Sequence, residues 1–212
     1  DAKFDIGDAE QPISAESYVS HMIVNKPYNL FNFSNIGYQT YYVKQEEKDL
    51  VEKLFFEAYR LGEASTNLVE MEPVLRDADL VSLDLTCIKA SEIISKTHPL
   101  VNGFESKELC ALARYSGLSH KNTSFGIYNL QKFENINTIS QIAAQIIWYY
   151  IEGVNYRIVE NLRQDRSKFI HYKVPVDEEV LHFYESENTG KWWIEIPQLT
   201  SKQNKLSEIT FL

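Results

Sequence analysis

The chain has 212 residues, of which 44% are hydrophobic and 13% aromatic, and its formal net charge is -9. This composition is typical of a folded globular protein and argues against disorder, while the negative charge disfavours binding to nucleic acid or to an anionic membrane. The apolar run at residues 142–151 is too short for a bilayer span, and Cys87 and Cys110 are too few for a disulfide framework. With no signal-peptide pattern at the start, we expect a cytoplasmic protein whose two cysteines are buried.

The first half of the chain alternates patterns of strand and helix. Residues 30–36 alternate apolar and polar side chains, which predicts a strand ending near Gly37. Apolar residues recur every three or four positions over residues 46–62, which predicts one amphipathic helix with Gly62 as its stop. Residues 79–85 form a short apolar run typical of a buried parallel strand, which places Asp84 at the carboxyl edge of a sheet.

The second half continues the alternation. Residues 106–115 predict a helix followed by Gly117, residues 123–130 predict a strand, and residues 136–152 predict a long helix ended by Gly153. Strands that alternate with helices in this way indicate an α/β protein with a doubly wound, mainly parallel sheet.

After Gly153 the sequence becomes charged and aromatic. We therefore divide the chain into an α/β domain over residues 1–153 and a folded extension over residues 154–212. Within the extension, residues 171–174 and 192–196 predict edge strands, and residues 189–190 (Thr-Gly) are a turn signal. The simplest interpretation of the aromatic residues is that they pack against the main sheet.

Two short stretches resemble the manganese-binding signatures of the ureohydrolase superfamily, which includes arginase, agmatinase and formiminoglutamase. Residues 1–5 (Asp-Ala-Lys-Phe-Asp) resemble Asp-Ala-His-x-Asp, and residues 82–86 (Ser-Leu-Asp-Leu-Thr) resemble Ser-Phe-Asp-x-Asp. In both signatures the ligands are alternate residues of an extended segment, so they point the same way. Lys3 stands where the family has histidine, and Thr86 stands where it has aspartate.

Residues 32–39 and 102–106, together with the long helix, resemble the formiminoglutamase-like branch. The resemblance covers roughly residues 1–153 and implies the C-terminal portion of a three-layer arginase-like fold whose N-terminal half is missing. The sequence opens without Met on a stretch that reads like the interior of a domain, so we expect a fragment or a trimmed chain. The resemblance places the first metal-binding histidine of the family upstream of Asp1.

The resemblance also implies roles for individual residues. Asp1, Asp5 and Asp84 correspond to ligands of a vestigial metal site. His21 lies about where the family has a histidine used in proton transfer. Asn129 occupies the position of a glutamate that pairs with a guanidinium-like substrate.

These residues have ordinary structural interpretations as well. Asp1 and Asp5 fit solvated charges at a chain end, and Asp84 fits a residue that caps the following turn. His21 fits a structural or surface histidine, and Asn129 fits a turn residue at a strand end.

The substitutions predict a site too eroded for the chemistry of the family, which uses a hydroxide that bridges two manganese ions. The ammonium of Lys3 has no lone pair to offer a metal, and three carboxylates are too few for a metal pair. We expect no cofactor in this chain. Instead we expect the Lys3 ammonium to fill the space of a metal and to neutralise the aspartates.

The leading hypothesis is thus a ureohydrolase-fold protein without competent catalysis, which acts as a binding or assembly component. Its partner would be a small-molecule ligand at the vestigial cleft, and a homo-oligomer is left open. One alternative is an active hydrolase of a formimino or guanidino C–N bond whose missing ligands come from an upstream segment. Another is a purely structural subunit with no pocket at the carboxylates.

Overall fold

The structure is a computed structural model. It describes residues 1–93, 100–162, 164–176, 179–196 and 205–208, with side chains omitted from the description at residue 196 and at residues 205–208.

Six α-helices and eight strands lie in the described ranges, and short 3-10 turns connect several of them. The helices are α1 (Tyr18–Val24), α2 (Gln45–Lys53), α3 (Leu61–Thr66), α4 (Met71–Arg76), α5 (Ser106–Leu118) and α6 (Ile136–Asn155). The strands are β1 (Ser34–Tyr38), β2 (Glu57–Arg60), β3 (Leu80–Asp84), β4 (Ser124–Tyr128), β5 (Phe169–Val176), β6 (Glu179–Ser186), β7 (Trp192–Ile196) and β8 (Lys205–Glu208).

The first four strands form two small parallel sheets of two strands each, and the predicted α/β class is confirmed. β1 pairs with β2, and β3 pairs with β4 in continuous register from Leu80–Ser124 to Asp84–Tyr128. Asp84 therefore ends β3 beside the end of β4, as the short apolar run predicts. Helices α4, α5 and α6 pack with these strands around the larger of the hydrophobic clusters, which includes both buried cysteines.

The region from Leu54 to Arg60 corrects the prediction of one long helix. α2 stops at Lys53, Phe55 takes a left-handed conformation with φ 57°, and the chain then forms β2. Ala58 packs against a second hydrophobic cluster, the N-terminal one, which includes Phe4 and Tyr38. Tyr59 packs against the larger cluster. Adjacent residues that face opposite cores are the mark of a strand, because successive side chains alternate between its two faces.

Gly117 and Gly153 also have a different role from the predicted one. Both lie inside helices rather than after them, at the place where α5 and α6 cross. A Cβ atom on Gly117 would lie 2.2 Å from the carbonyl oxygen of Tyr150, and one on Gly153 would lie 2.4 Å from the carbonyl oxygen of Arg114. The glycines therefore set how closely the two helices approach.

The C-terminal strands form an antiparallel sheet of their own, in the order β5-β6-β7-β8. β5 lies at an edge as predicted, but β7 lies between β6 and β8 and is not an edge strand. Three of the sheet's aromatic residues, Phe169, Tyr184 and Trp193, form a buried cluster of their own with Leu162.

Two contacts join the C-terminal sheet to α4. The Arg76 guanidinium lies 5.1 Å from the centroid of the Trp193 ring, and the Lys191 ammonium lies 3.2 Å from a carboxylate oxygen of Glu72. Arg76 and Glu72 are both buried. Across the described ranges, no helix is both long enough and apolar enough to cross a membrane.

The helix crossing gives a prediction about stability. Gly117→Ala should lower the free energy of unfolding by about 1–3 kcal/mol, because the new methyl group has to push the α6 backbone away. Gly62→Ala is the matched control, since nothing lies within 4 Å of its Cβ position in α3 and alanine favours a helix by about 0.5–1 kcal/mol. Urea unfolding of both variants measures the difference. A Gly117→Ala protein as stable as the Gly62→Ala protein would contradict the close crossing.

Candidate functional site

The N-terminal segment packs on the side of β1. Ala2, Phe4 and Ile6 are buried, while Asp1, Lys3 and Asp5 alternate with them and are less buried. The backbone amide of Gln39 donates to the Ala2 carbonyl at 3.0 Å, and the Asn35 side chain donates to the Lys3 carbonyl at 2.7 Å. This alternation of burial keeps the three charged side chains out of the hydrophobic cluster around Phe4.

The Asp84 carboxylate accepts hydrogen bonds on both of its oxygens. Oδ1 accepts from the Thr86 amide at 2.8 Å and from the Thr86 hydroxyl at 2.7 Å. Oδ2 accepts from the Asn129 side-chain nitrogen at 2.6 Å. Asn129 follows β4 in the left-handed conformation, with φ 65°. Asp84 thus caps the turn after β3, which is the structural role weighed for it, and it also ties the ends of β3 and β4 together.

A cavity of about 290 Å³ lies beside this network. It brings together six of the residues selected from the sequence, namely Asp1, Lys3, Asp5, Asp84, Thr86 and Asn129. It is further lined by Ala2, Ala15, Glu16, Tyr42, Leu100 and Lys132. A space of this size suits a small ligand, near the lower end of the volumes of ligand pockets.

Asp5 has the most strongly perturbed carboxyl group at the cavity. Burial, followed by the negative charge of Asp84, raises its pKa from 3.8 to about 7, while the charge of Lys3 opposes the rise. Asp5 also takes a left-handed backbone conformation, with φ 54°. This carboxyl group therefore titrates near neutral pH, and in its protonated form it can donate a hydrogen bond to a ligand.

Tyr18 of α1 lies close to the same carboxylates. Burial, together with the charges of Asp5 and Asp84, raises the pKa of its hydroxyl to about 12, against a hydrogen bond with Ser82 that lowers it. The hydroxyl stays protonated at neutral pH and supplies a donor next to the acidic side chains.

Lys3 corrects one expectation. Its ammonium pairs with Glu16 at 3.3 Å, and both side chains are exposed to solvent at the cavity rim. Among the described residues no ion pair joins Lys3 to any of the three aspartates. Lys3 thus acts on Asp5 through its field and does not fill a metal-sized gap between carboxylates.

His21 is placed apart from the other predicted site residues. It lies in α1, where its Nε2 contacts the Gln11 carbonyl at 3.1 Å and its Nδ1 contacts the Asn25 amide group at 3.4 Å. It is not among the described residues that line the cavity. These contacts match the structural interpretation of His21.

Sequence reasoning missed Glu16, Tyr18, Tyr42 and Lys132. None of them belongs to a signature; the fold brings Glu16, Tyr42 and Lys132 to the cavity and Tyr18 close to Asp5 and Asp84. Lys132 lies three residues after Asn129, so its position in the turn that follows β4 is the one signal that could have been used.

The donor set does not fit the manganese pair that the resemblance implies. An ammonium cannot bind a metal, and both oxygens of Asp84 are already engaged by hydrogen-bond donors. Within the described ranges, no three His, Cys, Asp or Glu side chains are grouped so that they could hold a metal ion.

Comparison with solved structures settles the fold. The chain superposes on formiminoglutamase from Trypanosoma cruzi, whose structure was determined with Mn²⁺, with a TM-score of 0.65 and 14% identity. The match covers 74% of this chain and 56% of that one. The chain has an arginase-like fold. No family model and no curated protein sequence matches it.

Two bacterial structures with the arginase-like fold are also similar. Formimidoylglutamase from Bacillus subtilis gives a TM-score of 0.65 with 14% identity, over 75% of this chain and 53% of that chain. Arginase from the same species gives a TM-score of 0.57 with 16% identity, over 71% and 60% of the respective chains. The present chain thus spans somewhat more than half the length of these enzymes.

The raised pKa of Asp5 gives a prediction about pH. The folded state binds this proton more tightly than the unfolded state, so its stability should fall as the pH rises from about 4 to about 7. Asp5→Asn should therefore match the wild type at pH 4 and exceed it at pH 8 by on the order of 2 kcal/mol. Thermal or urea unfolding across this range tests the sign, with Asp8→Asn as an exposed control. A variant no more stable than the wild type at pH 8 would contradict the burial of a charge at Asp5.

Proposed function

We propose that this arginase-like chain is not catalytically competent and instead binds a small molecule in the cavity at the carboxyl ends of β3 and β4. The observation that carries the proposal is that three hydrogen-bond donors engage the carboxylate of Asp84. The resemblance assigns a metal ligand to position 86 and a substrate-binding glutamate to position 129. Here Thr86 and Asn129 are hydrogen-bond donors, and both are bonded to Asp84.

The physical argument is one of competition for lone pairs. A carboxylate that bridges or binds a metal offers oxygen lone pairs to the cation, whereas N–H and O–H donors now take three of the roughly four lone-pair sites of Asp84. Charge-assisted hydrogen bonds of this kind stabilise the carboxylate by about 1.5–3 kcal/mol each. The network therefore does locally what a metal would otherwise do, which is to compensate a negative charge that is partly removed from water.

The chemistry of the lining favours a polar ligand. Carboxylates at Asp1, Asp5 and Glu16 face ammonium groups at Lys3 and Lys132 around one space. A cavity with both signs of charge suits a molecule that carries donors and acceptors together. This cavity argues against a purely structural subunit, for which no pocket at the carboxylates is expected.

A second candidate is an active hydrolase of a formimino or guanidino C–N bond. It is favoured by Asp1, Asp5 and Asp84 lining the same cavity, and by a chain that spans little more than half of the similar enzymes. Under this hypothesis an upstream segment supplies the missing imidazole ligands. The two candidates differ in metal content. Self-association of the chain is compatible with both.

Manganese loading separates the candidates. After incubation with MnCl₂ and dialysis, the chain should retain far less than one Mn²⁺ per molecule by elemental analysis, because the available ligand set lacks imidazole. Retention of about two ions per chain, with turnover of formiminoglutamate, arginine or agmatine, would overturn the binding proposal in favour of the hydrolase.

Restoring the ligands gives the complementary test. The double variant Lys3→His, Thr86→Asp should bind Mn²⁺ at least about tenfold more tightly than the wild type, since even changes outside the ligand set alter metal affinity by 10–100-fold. Without metal it should unfold at a lower temperature, because Asp84 loses the Thr86 hydroxyl donor and gains a like charge. Calorimetric titration with Mn²⁺ gives the affinity, and the same variant with Asp84→Ala is the control. Equal Mn²⁺ affinity in the wild type and the double variant would contradict the assignment of positions 3 and 86.

A further inference from the structure

The C-terminal sheet carries a pair of histidines in direct contact. His171 on β5 and His182 on β6 place Nε2 and Nδ1 2.8 Å apart, and their ring centroids are 5.0 Å apart. His171 also stacks on Tyr184, with the ring centroids 4.5 Å apart and the ring planes at 7°. The two imidazoles therefore form a column that covers Tyr184, which is almost fully buried beneath them.

We propose that this histidine pair is a pH-sensitive latch, which holds β5 against β6 near neutral pH and loosens β5 when both imidazoles are protonated. The two nitrogens can share a hydrogen bond only if one of them carries a lone pair. The first proton keeps the bond, because an imidazolium can donate to a neutral imidazole. The second proton removes the acceptor and places two cations in contact.

The surrounding charges oppose the second proton. Lys173 lies directly across the strands from His182, and the Arg166 guanidinium lies 5.3 Å from the centroid of the Tyr184 ring. The carboxylate that faces the pair is Glu195 of β7, and it already binds the Tyr184 hydroxyl at 3.0 Å and Arg166 at 3.6 Å. With His171 and His182 both charged, four cations would surround one engaged carboxylate.

The pKa of His171 is lowered, which agrees with opposition to the second proton. Burial, the charge of His182 and the charges of Lys173 and Arg166 all lower it, while Glu195 raises it. Because the folded state holds this proton less tightly than an unfolded histidine, whose pKa is 6.5, stability is lost as the pH falls through that value.

β5 is the element that should respond. Among the described residues it lies at the edge of its sheet and pairs with β6 alone, and its residues from Ile170 onward are exposed. Strands with one partner and little burial are the first parts of a fold to open. Loosening β5 would uncover Tyr184 together with its neighbour Trp193.

Hydrogen exchange of the full chain tests the latch. Protection factors of β5 amides, corrected for the intrinsic pH dependence, should fall by about tenfold between pH 7.5 and pH 5.5, as the loss of one hydrogen bond implies. His182→Asn and His171→Gln each keep a hydrogen-bonding atom at the contact but leave a single titrating ring, so the fall should disappear in both. His120→Gln, in the loop between α5 and β4, removes a histidine elsewhere and should keep it.

NMR titration of the histidines measures the pKa of His171, which would not depend on His182 if the pair were only structural. In His182→Asn the pKa of His171 should rise toward 6.5, because a neighbouring cation has been removed. The proposal is overturned if wild-type β5 protection does not change between the two pH values. It is also overturned if either single variant keeps the wild-type fall, or if the pKa of His171 does not rise.

Discussion

The site depends first on the burial of Ala2, Phe4 and Ile6 beside β1. Phe4 is 1% exposed and packs in the N-terminal hydrophobic cluster, with its ring centroid 4.9 Å from that of Tyr38. Fully burying an aromatic side chain of this size contributes about 1.5–3 kcal/mol, enough to fix the segment in place. Because those three residues face inward, the residues that alternate with them, Asp1, Lys3 and Asp5, lie at the cavity. A hydrophobic requirement thus positions the polar chemistry.

The carboxylates illustrate how a cluster of acids can persist without a metal. Three donors surround the Asp84 carboxylate, whereas burial and the charge of Asp84 raise the pKa of Asp5 to about 7. The Lys3–Glu16 pair stays in solvent at the rim, where ion pairs contribute little. Protonation and local hydrogen bonding therefore compensate the buried charge, rather than an internal salt bridge.

The sequence predicts the elements whose signals are local and misses those that depend on a distant partner. β3 and Asp84 are predictable because a short apolar run with a terminal carboxylate needs no other information. β2 is not, since its apolar residues also satisfy a helical period and only pairing with β1 decides between the two. Gly117 and Gly153 resemble stop signals, although their use is to let two helices touch. Glu16 reaches the cavity only through a turn of the chain that carries no sequence motif.

The position of β5 at the rim of its sheet has a consequence for assembly. In the part of the chain that the structure describes, no strand pairs with its outer side, and such edges in many proteins recruit a further strand from another molecule. Here Pro175 lacks an amide hydrogen, and Lys173 places a positive charge on the edge strand, both of which discourage such pairing. The sheet is therefore protected against growth from this side. If copies of the chain associate, they should meet through side-chain surfaces rather than by extending this ladder of strands.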